Sequence, residues 1–257
     1  MSPVVSLGQL AADLRAGVLF CTRLPVPGAA TITGTDIARA GWALPVAGAI
    51  VGLIAALVYG LARLADVPPF PAAGLTVVAS LVVTGCLHED GLADVADSFG
   101  ASTRERKLEI MRDSKIGTYG VCALFMSLLL RSGALASIAD PALAALVLVA
   151  AHMAGRAGMP LFMRLVPPAR ADGLSVGVGT PPRASAIAAL LIGMLALGVG
   201  LGPAAGVCAF ALIAVAFASL ACFSVRQIGG QTGDVLGALE QIGEIVVLLV
   251  AAANIGG

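Results

Sequence analysis

Residues 85–120 read GCLHEDGLADVADSFGASTRERKLEIMRDSKIGTYG, and here acids, bases and glycines crowd together in a chain that is otherwise apolar. Within the stretch, Asp90, Asp94 and Asp97 are spaced four and then three residues apart. On a helix that spacing stacks all three carboxylates on one face. Like charges so close repel, so the arrangement makes sense mainly with a cation between them. A solvated acidic helix start, meeting the helix dipole, accounts for one or two aspartates but not for three in line. Oxygen-only ligands favour a hard ion such as magnesium, which takes a few carboxylates and leaves room for phosphate oxygens. The second half of the stretch supplies Arg104, Arg106, Lys107, Arg112 and Lys115, then Ser114, Gly117, Thr118 and Gly120. Arginine offers a planar fork to phosphate and lysine a point charge, while glycines let backbone N–H groups approach an anion. Acids for a metal followed by bases and glycines for phosphate is the layout of a phosphoryl- or nucleotidyl-transfer site. The same residues also suit a charged cytoplasmic loop that fixes membrane orientation, and the two roles are compatible.

Outside this island the composition excludes a soluble protein: 59% of residues are hydrophobic, 12% are charged and the mean hydropathy is +1.00. Several apolar runs approach the roughly twenty residues that cross a bilayer. The formal net charge is zero, so no global field draws nucleic acid, and none is expected as a partner. The five cysteines are scattered through apolar runs and read as small packing residues rather than disulfides or a zinc site. The N-terminus lacks the basic region and cleavage site of a signal peptide. No fixed-period repeat is visible. The expectation is an all-α, polytopic membrane helix bundle forming one integral-membrane domain over residues 1–257.

Working outward, residues 5–24 carry Asp13, Arg15 and Arg23 and suit an interfacial or re-entrant helix better than a crossing. Spans are expected at about 40–64, 72–87, 117–138, from Pro141 to near Phe162, 184–201, 204–223 and 235–253. That gives about seven spans, or six with the N-terminal helix at the interface. The polar loops 88–116, 164–183 and 224–234 then share one face, and with Arg39, Arg164, Arg170, Arg183 and Arg226 they concentrate the basic residues there. The positive-inside rule makes that face cytoplasmic.

Two further constellations stand out. GGQTGD at 229–234 is a flexible turn in which Gln231 and Thr232 offer hydrogen bonds and Asp234 opens a helix. Alone, Asp234 reads as a cap; opposite a metal-binding loop it becomes an extra ligand or a general base. Inside the spans, His152 and Arg156 share a helix face and Glu244 lies several turns into the last helix. Such groups either line a polar cavity or pair internally to hold a bundle. Arg131 sits where it could snorkel outward, and His88 adjoins the acidic cluster as a base or hydrogen-bond donor. The loop with Arg170, Asp172 and Gly173 could close over a ligand.

HEDGLADVADSFG, RERKLEIMRDSKIGTYG, the early FCTRLPVP and the late GGQTGDVLGA together resemble the cobalamin synthase family of adenosylcobinamide-GDP ribazoletransferases, in order and over nearly the whole chain. The resemblance implies a multi-pass enzyme of the bacterial inner membrane, working at the cytoplasmic face with Mg2+. It would join adenosylcobinamide-GDP to α-ribazole or its 5′-phosphate and release GMP. Its metal ligands would be Asp90, Asp94 and Asp97, joined by Glu89 and Asp234. Its substrate contacts would come from Arg104, Arg112, Asp113, Ser114, Lys115 and Gly117, from Gln231 and Thr232, and from His152, Arg156 and Glu244. The base would be Asp234, Asp97 or His88, and the sequence does not choose. The bilayer is the expected environment, and a homo-oligomer is left open. A CDP-alcohol phosphotransferase acting on lipid is the nearer rival reading. A metal-ion transporter is the more distant one, since its ionisable groups should spread near the midplane across paired repeats.

Overall fold

The computed structural model describes residues 6–27, 32–138 and 140–255, and these fold into helices with no strand among them. Val5, the first residue of the expected N-terminal segment, lies outside them. In chain order the helices are α1 (Leu7–Cys21), α2 (Gly34–Arg39), a 3-10 turn, α3 (Leu44–Leu64), α4 (Pro69–Thr84), α5 (Leu87–Ser98), α6 (Arg104–Ile110), α7 (Thr118–Ala136), α8 (Pro141–Ala157), α9 (Met159–Leu165), α10 (Leu174–Val178), α11 (Arg183–Leu201), α12 (Pro203–Ile228) and α13 (Gly233–Ile255). Among the described residues six stretches are long and apolar enough to cross a membrane: 34–64, 118–136, 141–165, 183–201, 203–228 and 233–254. The pair α4 and α5, bent by 94°, makes a seventh if counted as one span. The protein is therefore an all-α, multi-pass membrane bundle.

The charges in α1 have a structural explanation. At 15 residues the helix is about 22 Å long, short of a bilayer core of about 30 Å. It lies against the start of the first span, where buried Asp13 accepts hydrogen bonds from Arg39 Nε (2.9 Å) and Trp42 Nε1 (3.0 Å).

The break between α4 and α5 is set by two consecutive left-handed residues, Gly85 (φ 65°) and Cys86 (φ 58°). Glycine adopts this conformation freely, whereas Cys86 bears a penalty of about 1–2 kcal/mol. Cys86 N–H donates to the Leu81 carbonyl (3.0 Å), which closes α4. Arg23 covers the break: its N–H donates to Val83 O (2.7 Å), and a Cβ on Gly85 would lie 2.6 Å from its Nε. The second span thus stops at Thr84 rather than Leu87, and the aspartate helix starts as a separate element.

Helices α8 and α13 run through the centre of the bundle, and α12 lies at its periphery. Small residues bring the central helices together. A Cβ on Gly52 of α3 would come within 2.7 Å of Val149 Cα on α8, an approach only glycine allows. Large apolar side chains such as Leu57, Val82, Phe125, Leu195 and Val215 stay exposed, the outward face that lipid covers. At two other boundaries the helices run further than hydropathy suggests. The fourth span continues through α9 to Leu165, and α12 passes Phe223 to end at Gly229, again left-handed (φ 83°). The expected loop 224–234 shrinks to residues 229–232, because apolar character ends where lipid does while backbone hydrogen bonding continues into the surface layer.

Candidate functional site: a carboxylate cleft at one end of the bundle

The three polar segments are tied to one another by hydrogen bonds. Gln231 N–H donates to Pro167 O (2.8 Å) and Ala169 N–H to Gln231 O (2.9 Å), a short parallel bridge between the 166–173 loop and the 229–232 turn. Arg104 clamps both, its Nε on Ile228 O (2.9 Å) and its Nη2 on Ala169 O (2.6 Å). Arg112 reaches Asp172 (2.5 Å). The motifs that the sequence places on one face converge on one spot.

At their junction, α5 packs against α13 through glycines. A Cβ on Gly91 would lie 2.7 Å from the Asp234 carbonyl, and one on Gly237 would lie 3.1 Å from the His88 carbonyl. This approach brings Asp90 and Asp94 of α5 beside Asp234 of α13. The three carboxylates line a cleft of about 490 Å3 together with Glu89, Arg112, Asp113, Ser114 and Lys115. Asp94 lies within electrostatic reach of Asp90, Asp97 and Asp234. Among the described residues neither Asp90 nor Asp94 forms an ion pair, and Asp234 has only Arg170 Nη2 at 3.8 Å and the Thr232 hydroxyl at 3.0 Å. Glu89 Oε2 is buried without a hydrogen-bond partner. An all-oxygen donor set this short of cationic partners suits a hard divalent cation.

Several expected site residues have other work. Both oxygens of Asp97 accept backbone N–H groups at the start of α7, from Gly117 (2.7 Å) and Gly120 (2.8 Å). Asp97 does not line the cleft; as the acceptor for orphan donors at a helix N-terminus, it anchors α7 to α5. Both of its oxygens are thus engaged at the helix start, with Gly117 as one of the donors. Arg104 is the interloop clamp. Thr232 caps α13 by accepting from Val235 N–H (3.3 Å) while donating to Asp234, so the cap expected of Asp234 falls to its neighbour. Gln231 is buried and holds the bridge through its backbone.

His152, Arg156 and Glu244 do not line the cleft either; they pair internally below it. Arg156 Nη1 lies 2.5 Å from Glu240 and 3.0 Å from Glu244, and His152 pairs with Glu244. The donor atoms of His152, Glu240 and Glu244 are close enough to hold a metal ion, but Arg156 already supplies the positive charge there. Arg131, which could have snorkelled outward, is instead buried and donates to Glu89 (2.9 Å), Gln241 (2.8 Å) and Glu244 (3.3 Å). Gln241 Nε2 bonds Glu89 and Glu240, both at 3.0 Å. Glu89 is thus shared, one oxygen held by the network and the other at the cleft. The contributions of Gln241, Glu240 and Arg131 were not apparent from the sequence; the i, i+4 placement of Glu240 and Glu244 on α13 was the available signal.

His88 is buried, its Nδ1 3.4 Å from Arg156 Nη2 and 3.7 Å from Glu240. It borders a second cavity of about 220 Å3, which also includes Asp90, Asp234 and Arg170.

Fold and site together define a multi-pass membrane protein with an acidic cleft, bordered by Arg112 and Lys115, at one end of its bundle. Residues 13–252 match the family described as cobalamin-5-phosphate synthase, and the chain belongs to that family. It is 55% identical, over 96% of both chains, to a Bradyrhizobium diazoefficiens protein named adenosylcobinamide-GDP ribazoletransferase. A Mesorhizobium japonicum protein of the same name is 48% identical over 95% of this chain and 94% of its own. One from Azorhizobium caulinodans is 43% identical over 94% and 95%. No solved structure matches the chain.

Proposed function

We propose that this chain is an adenosylcobinamide-GDP ribazoletransferase of the bacterial inner membrane, its cleft open to the cytoplasm. It joins adenosylcobinamide-GDP to α-ribazole or its 5′-phosphate and releases GMP. The observation that carries the reading is the meeting of Asp90, Asp94 and Asp234 with Arg112 and Lys115 in one cleft. Family membership supports it against a lipid-directed CDP-alcohol phosphotransferase and against a metal transporter.

In the reaction a ribose hydroxyl oxygen of the acceptor bonds to the cobinamide-side phosphorus. The bond from that phosphorus to the bridging oxygen breaks, and GMP departs with the oxygen and its electron pair. Asp90, Asp94 and Asp234, with the free oxygen of Glu89, would hold magnesium. The chemistry such an ion would supply there is neutralisation of the charge that develops on the diphosphate. Arg112 takes phosphate oxygens as a fork and Lys115 as a point charge; Arg112 exchanges Asp172 for the substrate, both side chains being exposed. The hydroxyl proton goes to Asp234, which lines the cleft while both oxygens of Asp97 are committed to α7. His88 is a poor alternative. Its Nδ1 faces an arginine that can only donate, so Nε2 carries the proton.

The test is release of GMP from adenosylcobinamide-GDP by purified protein in lipid, with α-ribazole and magnesium. Release that requires both supports the reading. Release from a cytidine donor with a lipid acceptor instead overturns it.

A further inference from the structure

The cleft and the 220 Å3 cavity have Asp90 and Asp234 in common. The proposed reaction has two substrates that must meet at those carboxylates, so two cavities converging there invite an assignment of one to each. Their chemistries differ. The larger is bordered by Arg112, Ser114 and Lys115 and suits a diphosphate. The smaller is a chamber walled by apolar side chains from several elements: Phe20 of α1, Ile37 of α2, Met159 and Met163 of α9, and Val178 of α10.

Three features narrow its occupant. At about 220 Å3 it falls below the roughly 300–1,000 Å3 of sites for drug-sized ligands, which excludes a corrinoid ring and fits one flat bicyclic base. Its predominantly apolar walls favour a base with apolar edges over guanine; of the charged groups that border it, Asp90 and Asp234 belong also to the cleft and Arg170 stands beside Asp234. And His88, 1% exposed, borders this chamber and carries a buried Nε2 without a partner. With Nδ1 receiving from Arg156, that nitrogen is an N–H donor. An apolar-walled slot with His88 as a buried donor, and Arg170 Nη1 as a second one beside Asp234, suits an aromatic base that has apolar edges and a ring-nitrogen acceptor. The base of α-ribazole, a dimethylated benzimidazole, is of this kind.

We propose that this chamber seats the aryl base of the acceptor nucleoside, with His88 donating to its ring nitrogen, so that the ribose hydroxyl emerges between Asp90 and Asp234 opposite the donor diphosphate. The assignment rests on the transferase reading above. It also gives the N-terminal segment a function: α1 and α2, which are not needed to hold the diphosphate, close the acceptor's side of the site.

The experiment uses the full chain in lipid nanodiscs and measures GMP release with each substrate varied, together with equilibrium dialysis of labelled α-ribazole without donor. Val178→Phe fills the chamber from its α10 wall. It should raise the acceptor KM and weaken α-ribazole binding by about tenfold or more, the factor carried by about 1.4 kcal/mol, with the donor KM within about twofold. His88→Ala should weaken acceptor binding by a few-fold to about tenfold, as expected for one lost hydrogen bond, and spare the donor. Met163→Ala enlarges the chamber and should shift preference toward a naphthimidazole riboside over α-ribazole, a gain that a folding defect does not produce. An unchanged acceptor KM in Val178→Phe, equal losses for both substrates, or an unaltered preference in Met163→Ala overturns the chamber assignment while unaltered protein still turns over. Unaltered protein that releases no GMP overturns the transferase reading and the chamber with it.

Discussion

Helices α5 and α13 carry two sets of acids a few residues apart, and the sets are treated in opposite ways. Glu240 and Glu244 are buried and held by Arg131, Arg156, Gln241 and His152 at distances of 3.3 Å or less, and Glu89 straddles the two sets, one oxygen held by Arg131 and Gln241 and the other unpartnered. Asp90, Asp94 and Asp234 border an open cleft and have no close cationic partner among the described residues beyond Arg170 at 3.8 Å. A carboxylate inside a membrane bundle is tolerable when paired and hydrogen-bonded. Three carboxylates left unpaired at a cleft repel one another, a cost the fold retains where a cation is to be bound. Partnering, more than residue type or depth, separates the acids that hold the bundle from those that act.

The most decisive way to break this comparison is through the open set. Asp90→Asn, Asp94→Asn and Asp234→Ser should each lower turnover by about a hundredfold or more, the lower range for a missing acid–base group. Their unfolding midpoints in detergent should hold or rise, because each removes like-charge repulsion. Serine keeps whatever helix-capping Asp234 offers, so a fall in Asp234→Ser is not a capping effect. Near-normal rates in two of the three at saturating magnesium would sink the shared-site idea.

The paired set should respond in the other currency. Arg156→Met leaves Glu240 and Glu244 without their central cation and should cost about 3–5 kcal/mol of stability, as for a broken buried pair. Glu244→Gln, which strips partners from both arginines and from His152, should act in the same direction. Thermal unfolding in detergent reads both. A stable Arg156→Met protein that has lost only catalysis would move Arg156 into the site and erase the distinction.

Smaller effects are expected at the cleft's basic rim. Arg112→Gln and Lys115→Gln should each weaken binding of the GDP-bearing donor by roughly ten- to a hundredfold, or about 1.5–3 kcal/mol for a charge-assisted contact, leaving α-ribazole binding in place. Equal losses for donor and acceptor point to a displaced loop instead. Asp172→Ala sharpens the case: freeing Arg112 from its pair should leave donor binding equal or tighter.

The bundle was legible because lipid imposes a length and a composition, and the convergence of three loops followed from counting crossings and basic residues. The i, i+4 spacing of Asp90 and Asp94 likewise placed them together. Harder to read were features set by tertiary partners. Nothing local marks Gly91 as the point where α13 touches α5, although GDVLG at 233–237 has the small-residue spacing of a close helix contact. Whether Arg156 and Glu244 meet a substrate or each other depends on the crossing of α8 with α13. Asp97 extends the same stripe as its neighbours, and only the position of α7 diverts it.

Asp97 therefore offers the finest test, because it continues the acidic stripe but belongs with the structural set. As a third ligand or a base, its conversion to asparagine should resemble Asp90→Asn. As the anchor of α7 it keeps one oxygen for a backbone N–H and loses the other acceptor together with the charge that favours a helix N-terminus. The expected outcome is a stability loss of about 1–2 kcal/mol, the range of one or two weakened hydrogen bonds, with turnover within a few-fold of normal and no change in magnesium dependence. Gly117→Ala should reproduce it from the other side, since its Cβ would lie 2.5 Å from Asp97 Oδ1 and push the carboxylate off the helix start. If both variants instead need more magnesium to reach half-maximal rate, the line between the two sets of acids must be redrawn to include Asp97 in the cleft.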